Sequence, residues 1–532
     1  MTPRLDLAPR RTRESTSKVR TGCSTCKARR VKCDELKPIC QRCAIGGRKC
    51  EYNTARTAPR RTVFTVYLPP TQSQPVFFVN YGGLDFFHQS IASKLDGQFD
   101  SQFWSKLVLQ LSHSEPSIRH AVSAISVIYR DVDSSLLHPA GYVNANPEAQ
   151  QEWNTAVKSL SARIETHPNS ILVPLVCCLL FTCIEFLRGN GESSLLHVQS
   201  GFKILAALHR KDHQAPGSGS SISTNDHKTI EDHIIPIFSR LNVLCSLAGI
   251  IIPPVYASTA NSREDFPHED LGDSRQRLVE DLDLCIRFIH DAILKADMFQ
   301  INVDDLIEQA KLQARLEVWR NQLDELLERK QAAGNMAKQD ALNILLVHYK
   351  IIYIWIRVCT TAGEMATDSY HVDFEELVHY AEQIAKPGMG METPQSLSFD
   401  MQILGPLYFT ALKCRHPAIR RRALEMLQLA PRREGLWNAH YAYVTAKRVI
   451  QLEERDLNGH ELPNETSRVR GLPLPDDEAR IYSLGEMSFE YRKFDHNVIP
   501  SPTCPGILEA VFQTKPWGEW GEPQTITEYI KL

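Results

Sequence analysis

The chain has 532 residues, 43% of them hydrophobic, with 60 Lys and Arg against 63 Asp and Glu and a formal net charge of −3. Such a composition excludes a wholly disordered polyelectrolyte and leaves ample apolar material for a large core. The near-neutral total hides a split: residues 1–61 carry 17 Lys/Arg and 5 Asp/Glu, a net of +12, while the remainder carries 43 against 58, a net of −15. A basic head on an acidic body is expected to seek a polyanion, with an affinity that falls steeply as salt rises.

Residues 1–19 read as a basic, disordered arm. Arg10, Arg11, Arg13 and Lys18, with Arg20 beyond them and Arg56, Arg60 and Arg61 further on, suit phosphate tracking, a nuclear import signal or simply a solvated tail. Residues 20–53 then hold Cys23, Cys26, Cys33, Cys40, Cys43 and Cys50 in the spacing C-x2-C-x6-C-x6-C-x2-C-x6-C, with no histidine among them. Two tetrahedral zinc ions would need eight ligands, and six thiolates satisfy both only if two of them bridge. The expected cofactor is therefore two Zn2+ ions per chain. Lys27, Arg29, Arg30, Lys32, Lys37, Arg42, Arg48 and Lys49 lie between the ligands and can offset the net negative charge of such a cluster. The intervening stretches are too poor in apolar residues to fold unaided, so metal binding and folding should be coupled. A disulfide framework is disfavoured, because no apolar signal stretch opens the chain. Cys177, Cys178, Cys183, Cys245, Cys285, Cys359, Cys414 and Cys504 read as buried or unpaired thiols.

Residues 24–31 can form about two helical turns, with Cys26 inside and Cys33 just beyond fixing their position. Lys27, Arg29 and Arg30 would then point outward. A helix of this width fits a DNA major groove, and arginine bonds guanine O6 and N7 with two parallel hydrogen bonds, so the Arg29–Arg30 pair suits adjacent G·C pairs. Lys27, Lys32, Arg42 and Lys49 are placed as phosphate contacts, which fix register without specifying sequence. The alternative makes all of these residues counter-charges to the thiolates.

The cysteine spacing, together with Arg29-Arg30-Val31-Lys32 before the third cysteine and Lys37-Pro38 before the fourth, resembles the fungal Zn(2)Cys(6) binuclear zinc cluster transcription factors. By that resemblance Cys23 and Cys40 bridge, Cys26 and Cys33 complete one zinc, and Cys43 and Cys50 complete the other. It further implies two short helices related by a pseudo-twofold, a loop around Pro38, recognition of a CGG-type triplet and Arg30 as the foremost base contact, with Arg29 second.

Residues 54–80, with Pro59, Pro69, Pro70 and Pro75, read as an extended linker without heptads. Many relatives of this type dimerise through a coiled coil at that place, so monomeric binding or a homodimer formed through the body is expected here. From residue 81 to 455 the helical period dominates. Ser114-Glu115-Pro116 reads as a cap and first turn, followed by the stripe Ile118, Ala121, Val122, Ile125, Ile128 and Tyr129. Leu195, Val198, Phe202 and Leu205 form a second stripe, and Leu316, Trp319, Leu323 and Leu326 a third, too short for a zipper. The apolar runs 171–184 and 342–358 are interrupted or flanked by Pro174, Glu185, Arg188, His348, Lys350 and Arg357, and are expected to be core helices rather than membrane spans. Chain breaks are expected at 133–150, 212–225, 253–274, 387–398 and 458–477.

Phrases in this body, among them Leu84-Asp85-Phe86-Phe87, Phe103-Trp104, Cys183 to Gly189, His197 to Gly201 and Ala411 to Pro417, resemble the fungal-specific transcription factor domain that often accompanies the cluster. The resemblance implies an all-α regulatory domain, open to a small-molecule effector. Residues 456–532 form a C-terminal region in which the acidic and aromatic stretch 476–491 suits an activation segment, a surface helix or a loop. Arg415, Arg420, Arg421, Arg422, Arg432 and Arg433 would form either a second basic surface or exposed pairs with acidic neighbours. His113 and His120 read as packing residues.

The expected fold class is mainly α: a small two-helix Zn2Cys6 cluster followed by a large all-α regulatory domain. The expected function is a nuclear, sequence-specific, RNA polymerase II-type transcription factor that binds double-stranded DNA, contacts the transcription machinery or co-regulators, touches no membrane, and controls a metabolic or secondary-metabolite gene set. The alternatives are a zinc cluster used only for protein contacts and an enzyme with an accessory zinc module. No His-Glu-x-x-His, phosphate loop, Gly-x-Ser-x-Gly elbow or dinucleotide fingerprint supports an enzyme.

Overall fold

The structure, a computed structural model, describes residues 23–29, 31–50, 81–99, 102–134, 146–214, 223–247, 250, 267–334, 338–385, 397–455, 474–483, 498–500, 507–517 and 522–531. The chain divides into two compact units, residues 1–77 and 78–532.

The first unit is built on two five-residue helices, α1 (Ser24–Ala28) and α2 (Gln41–Ile45). Each begins immediately after a cysteine, and the same C-x2-C-x6-C pattern recurs seventeen residues on, so the halves are a structural repeat. Helices this short do not persist alone in water. Their core is sulfur: Cys23, Cys26, Cys33, Cys40 and Cys43 are buried, with Val31 and Cys50 packed beside them. Thr25 Oγ1 donates to the Lys49 carbonyl at 2.7 Å and ties one half to the other. The α1 helix is shorter than the sequence pattern suggests, ending at Ala28, with Arg29 as its C-cap, because the chain must turn there to bring Cys33 back to the other sulfurs. Arg30 lies outside the described residues.

The second unit is helical through most of its length. Its longer helices are α3 (Pro116–Ser134), α4 (Pro147–Thr166), α5 (Leu172–Arg188), α6 (Gly191–Gln214), α7 (Ile235–Leu247), α8 (Leu271–Asp297), α9 (Val303–Ala332), α10 (Gln339–Val358), α11 (His371–Ala385), α12 (Leu404–Lys413), α13 (Pro417–Leu429) and α14 (Ala439–Glu453). The α3 stripe read from the sequence is buried in full, as are Leu195, Val198, Phe202 and Leu205 of α6 and Leu316, Trp319, Leu323 and Leu326 of α9. Every residue of α5 from Leu172 to Leu187 is buried, and Gly189 ends the helix in the left-handed region at φ 72°. A helix as long and apolar as α10 could cross a bilayer, yet Ile344, Leu345, Val347, Ile352, Ile354 and Ile356 lie inside the protein core. The core helix explains its composition.

Buried charged groups are paired with an opposite charge or held by backbone N–H groups. Asp400 receives Arg240 Nε at 2.9 Å and Arg275 Nη2 at 2.6 Å, and the two guanidiniums hold its carboxyl down at about 2 against the opposing effect of burial. A hairpin of β1 (Arg433–Glu434) and β2 (Trp437–Asn438) inserts the buried Glu434 at the start of α12, where its carboxylate accepts the N–H groups of Gln402, Ile403 and Leu404 at 2.9–3.1 Å. Gly435 makes that turn at φ 55°, and a Cβ there would stand 2.4 Å from Leu244.

The C-terminal region, set apart from the all-α body in the sequence, contributes strands. Strands β3 (Ile481–Ser483), β4 (Val498–Pro500), β5 (Ile507–Thr514) and β6 (Gln524–Lys531) form an antiparallel sheet around β5, which pairs with β6 along its whole length. Leu508, Ala510 and Phe512 alternate inward and join Tyr441, Val449 and Leu452 of α14 in a small core. Residues 476–483 are therefore part of the fold rather than a detached acidic segment. Arg480 is fully buried, with Nη1 on Glu453 at 2.9 Å and Nη2 on the Leu412 and Lys413 carbonyls. Residues 484–491 lie outside the described residues.

Of the two readings of these arginines, pairing with acidic neighbours is the one found. Arg420 is buried against Glu453, Arg421 meets Glu454, Arg422 meets Glu382 and Glu375, and Arg415 meets Asp368. These arginines fasten helices to one another and do not make a basic face. His120 is half-buried and bonds Glu152 at 2.6 Å.

Candidate metal centre and nucleic-acid interface

Each helix of the first unit starts just after a cysteine, and in α1 that cysteine's thiol takes the place of a capping side chain. Cys23 Sγ accepts the Cys26 N–H at 3.4 Å, the role a serine or aspartate oxygen usually plays. The third cysteine of each half is held in the matching way: Cys23 N–H donates to Cys33 Sγ at 3.5 Å, and Cys40 N–H donates to Cys50 Sγ at 3.3 Å. All six sulfurs are thus drawn to one centre by local backbone geometry.

Four of them form a closed group. Cys23 lies 3.8 Å from Cys40 and 3.8 Å from Cys43, while Cys26 lies 3.7 Å from Cys40 and 3.9 Å from Cys43. A tetrahedral zinc with Zn–S bonds of about 2.3 Å requires sulfurs about 3.8 Å apart, so the donor set fits the metal in type and spacing. Cys26 and Cys43, which the bridging assignment gives to different ions, are as close as the rest, and the sulfur spacing does not select which two thiolates bridge.

Protonation follows the same division. Burial raises the Cys23 and Cys40 thiols, but hydrogen bonds from the Cys26 and Cys43 backbone N–H groups and from neighbouring thiols outweigh it, bringing Cys23 to about 6 and lowering Cys40. Cys26, desolvated and donating to those same sulfurs, is pushed up to about 12, and Cys43 is raised in the same way. Zinc takes thiolate ligands, so loading the site releases these protons.

Around this centre the cations face outward. Lys27, Arg29, Lys32, Arg42 and Lys49 are all exposed. Arg29, Lys32, Arg42 and Arg48 line one concave surface between the halves, with Asp34 the acid among its lining residues. Arg48 entered the sequence reading only as a counter-charge. Its position in this groove was legible in principle, because the seventeen-residue repeat aligns it with Val31 beside Lys32.

Residues 21–59 match the fungal Zn(2)-Cys(6) binuclear cluster domain, and residues 84–289 match the fungal specific transcription factor domain. The chain thus carries a fungal Zn(2)-Cys(6) binuclear cluster domain followed by a fungal specific transcription factor domain. Its cluster domain binds two zinc ions, and the chain is a DNA-binding transcription regulator. Among curated relatives, the aspercryptin biosynthesis cluster-specific transcription regulator atnN of Emericella nidulans is 23% identical over 413 residues, covering 72% of this chain and 67% of that protein. The transcription regulator lscL of Purpureocillium lilacinum is 26% identical over 197 residues, 34% of this chain and 47% of that protein. The lysine biosynthesis regulatory protein LYS14 of Saccharomyces cerevisiae is 61% identical over 33 residues, 6% of this chain and 4% of that protein. The match thus spans about two thirds of the first relative and about half of the second. No solved structure matches the chain.

Proposed function

We propose that this zinc-cluster protein reads a CGG-type triplet through the first half of its cluster and regulates a metabolic or secondary-metabolite gene set in the nucleus. All six cysteines are the proposed ligands, with Cys23 and Cys40 bridging. The observation that carries the reading is the asymmetry between the two halves. The first half carries Lys27 and Arg29 at the end of α1, with Arg30 next in the sequence, whereas the equivalent positions of the second half, seventeen residues on, are Ala44, Gly46 and Gly47. Only the first half offers long cationic donors where a helix end meets base edges. Arg30 and Arg29 are assigned to guanines, because two parallel N–H groups match O6 and N7. Lys27, Lys32, Arg42 and Lys49 are assigned to phosphates, joined by Arg48.

The reading of the relatives' names supports the gene-set proposal, since one is a cluster-specific regulator of a biosynthesis and another a regulator of lysine biosynthesis. The chain acts as a regulator and not as an enzyme in this proposal, and its partners are double-stranded DNA and co-regulators. The test is Arg29→Ala/Arg30→Ala in zinc-loaded protein. It is expected to keep its two zincs while losing preference for a CGG duplex over a scrambled one, each lost guanine contact reducing discrimination by about 1–3 kcal/mol. Unchanged discrimination in the double mutant would remove these two arginines from the reading surface.

A further inference from the structure

The groove between the two halves of the cluster holds one residue to which no role has yet fallen. Its volume is about 680 Å3, and Ile45 lines it together with Arg29, Lys32, Arg42 and Arg48. These four cations make no ion pair among the described residues, unlike the arginines of the helical body, so their charge is available to an anion from outside. Asp34, the acid in the lining, already accepts the Leu36 N–H at 3.2 Å.

Ile45 is the last residue of α2, and 82% of its surface is exposed. Gly46 and Gly47 follow it, so no adjoining side chain shelters it on that side. A single apolar side chain on a surface needs no explanation by itself. An isoleucine set among four unpaired cations does, because the polyanion those cations attract must cover it too. Phosphate oxygens give an aliphatic side chain nothing to pack against. The apolar group that a duplex displays in its major groove is the C5-methyl of thymine.

We propose that Ile45 packs against the C5-methyl of a thymine flanking the triplet, so that the second half of the cluster adds a preference for T·A at that flank. The inference rests on the major-groove placement of Arg29, since Arg29 and Ile45 line one surface and the groove that presents guanine O6 and N7 also presents the thymine methyl. The two halves then divide the work. The first supplies hydrogen-bond donors, and the second supplies an apolar contact. The position equivalent to Ile45 in the first half, seventeen residues back, is Ala28, whose side chain ends at Cβ and cannot reach as far.

The experiment is fluorescence anisotropy of the full zinc-loaded chain on labelled duplexes in which the CGG triplet is flanked by A·T and T·A pairs, and on the same duplexes with uracil in place of every flanking thymine. Uracil pairs as thymine does and lacks only the methyl. Wild type is expected to bind the uracil duplexes about fourfold more weakly, the loss that goes with one buried methyl-sized group. Ile45→Ala is expected to bind the thymine duplexes at least fourfold more weakly than wild type and to be indifferent to uracil. It should keep two zincs and the wild-type salt slope, because it removes an exposed side chain and no charge. Equal affinity of wild type for thymine and uracil duplexes, or an undiminished uracil penalty in Ile45→Ala, would overturn the assignment. Scrambling the triplet within the same thymine flanks separates the two readings: no loss on scrambling refutes the CGG proposal, whereas indifference to uracil with triplet preference intact refutes the role of Ile45 alone.

Discussion

Replacing Glu453 by leucine probes whether the C-terminal strands are part of the cooperative body. Its carboxylate accepts Arg420 Nη2 at 2.6 Å, Arg480 Nη1 at 2.9 Å and the Ile481 N–H at 3.0 Å, and all three groups are buried. Leucine leaves two guanidiniums inside the protein without their shared anion. Breaking a buried pair in this way costs about 3–5 kcal/mol, most of it the penalty of the stranded charges. Arg448→Ala removes a second link between α14 and the sheet, the ion pair with Glu528 at 3.0 Å, but both partners are partly in solvent and about 0–1 kcal/mol is expected. Urea unfolding followed by far-ultraviolet circular dichroism measures both variants, and amide hydrogen exchange over residues 507–514 tests whether β5 is released with α14. A loss in Glu453→Leu no larger than that in Arg448→Ala would refute the buried-charge argument. Unchanged exchange on β5 would refute the coupling of sheet to helix.

Gly201→Ala adds a methyl whose carbon would stand 2.1 Å from Phe238 Cζ, so despite alanine's better helix propensity it should destabilise the body by about 1–3 kcal/mol in the same urea assay. Zinc chelation should unfold residues 23–50 while leaving the helical signal of the second unit, and zinc release should increase as pH falls, because protons compete for the thiolates; a colorimetric zinc titration against pH reads both effects. Lys32→Ala should lower the slope of log affinity against log salt by about 0.9 with triplet preference intact, measured by fluorescence anisotropy on a labelled duplex. His348, buried and bonded to the Gln402 carbonyl at 2.8 Å, is held neutral by burial with its imidazole down at about 4. The unfolded chain therefore binds more protons below the ordinary histidine value near 6.5, so His348 costs stability as pH falls from there towards 4 and has no effect above it. His348→Gln should flatten that limb of the stability–pH curve.

Much of this molecule is legible in its sequence because its strongest signals are local. The cysteine spacing places six sulfurs at one centre, and the stripes of α3, α6 and α9 repeat at the helical period, so burial follows from neighbours three or four residues away. The C-terminal sheet escaped because Leu508, Ala510 and Phe512 alternate over only five residues, and their inward face exists only once α14 lies beneath it. Arg420 escaped for a related reason. An arginine on a charged helix looks exposed until Glu453, thirty-three residues on, and Arg480, sixty on, are brought to it. The α1 helix ends at Ala28, short of the two turns that the spacing allows over 24–31, because Cys33 must return to the cluster.

The union of α14 with the terminal strands has a consequence for how the protein is made. Synthesis runs from N- to C-terminus, so the ribosome releases α13 and α14 well before Arg480 and residues 507–531 have emerged. During that interval Arg420 and Glu453 face each other without their third member, and the apolar side of α14 is bare. The regulator can fold its DNA-reading module early, around zinc, but its body is completed only once residues 507–531 have emerged. Shortened products therefore form a distinct hazard: a chain cut between Glu453 and residue 507 has an intact zinc cluster and an unfinished body. Such a chain would still be able to occupy promoters while lacking the finished structure that regulates what happens there.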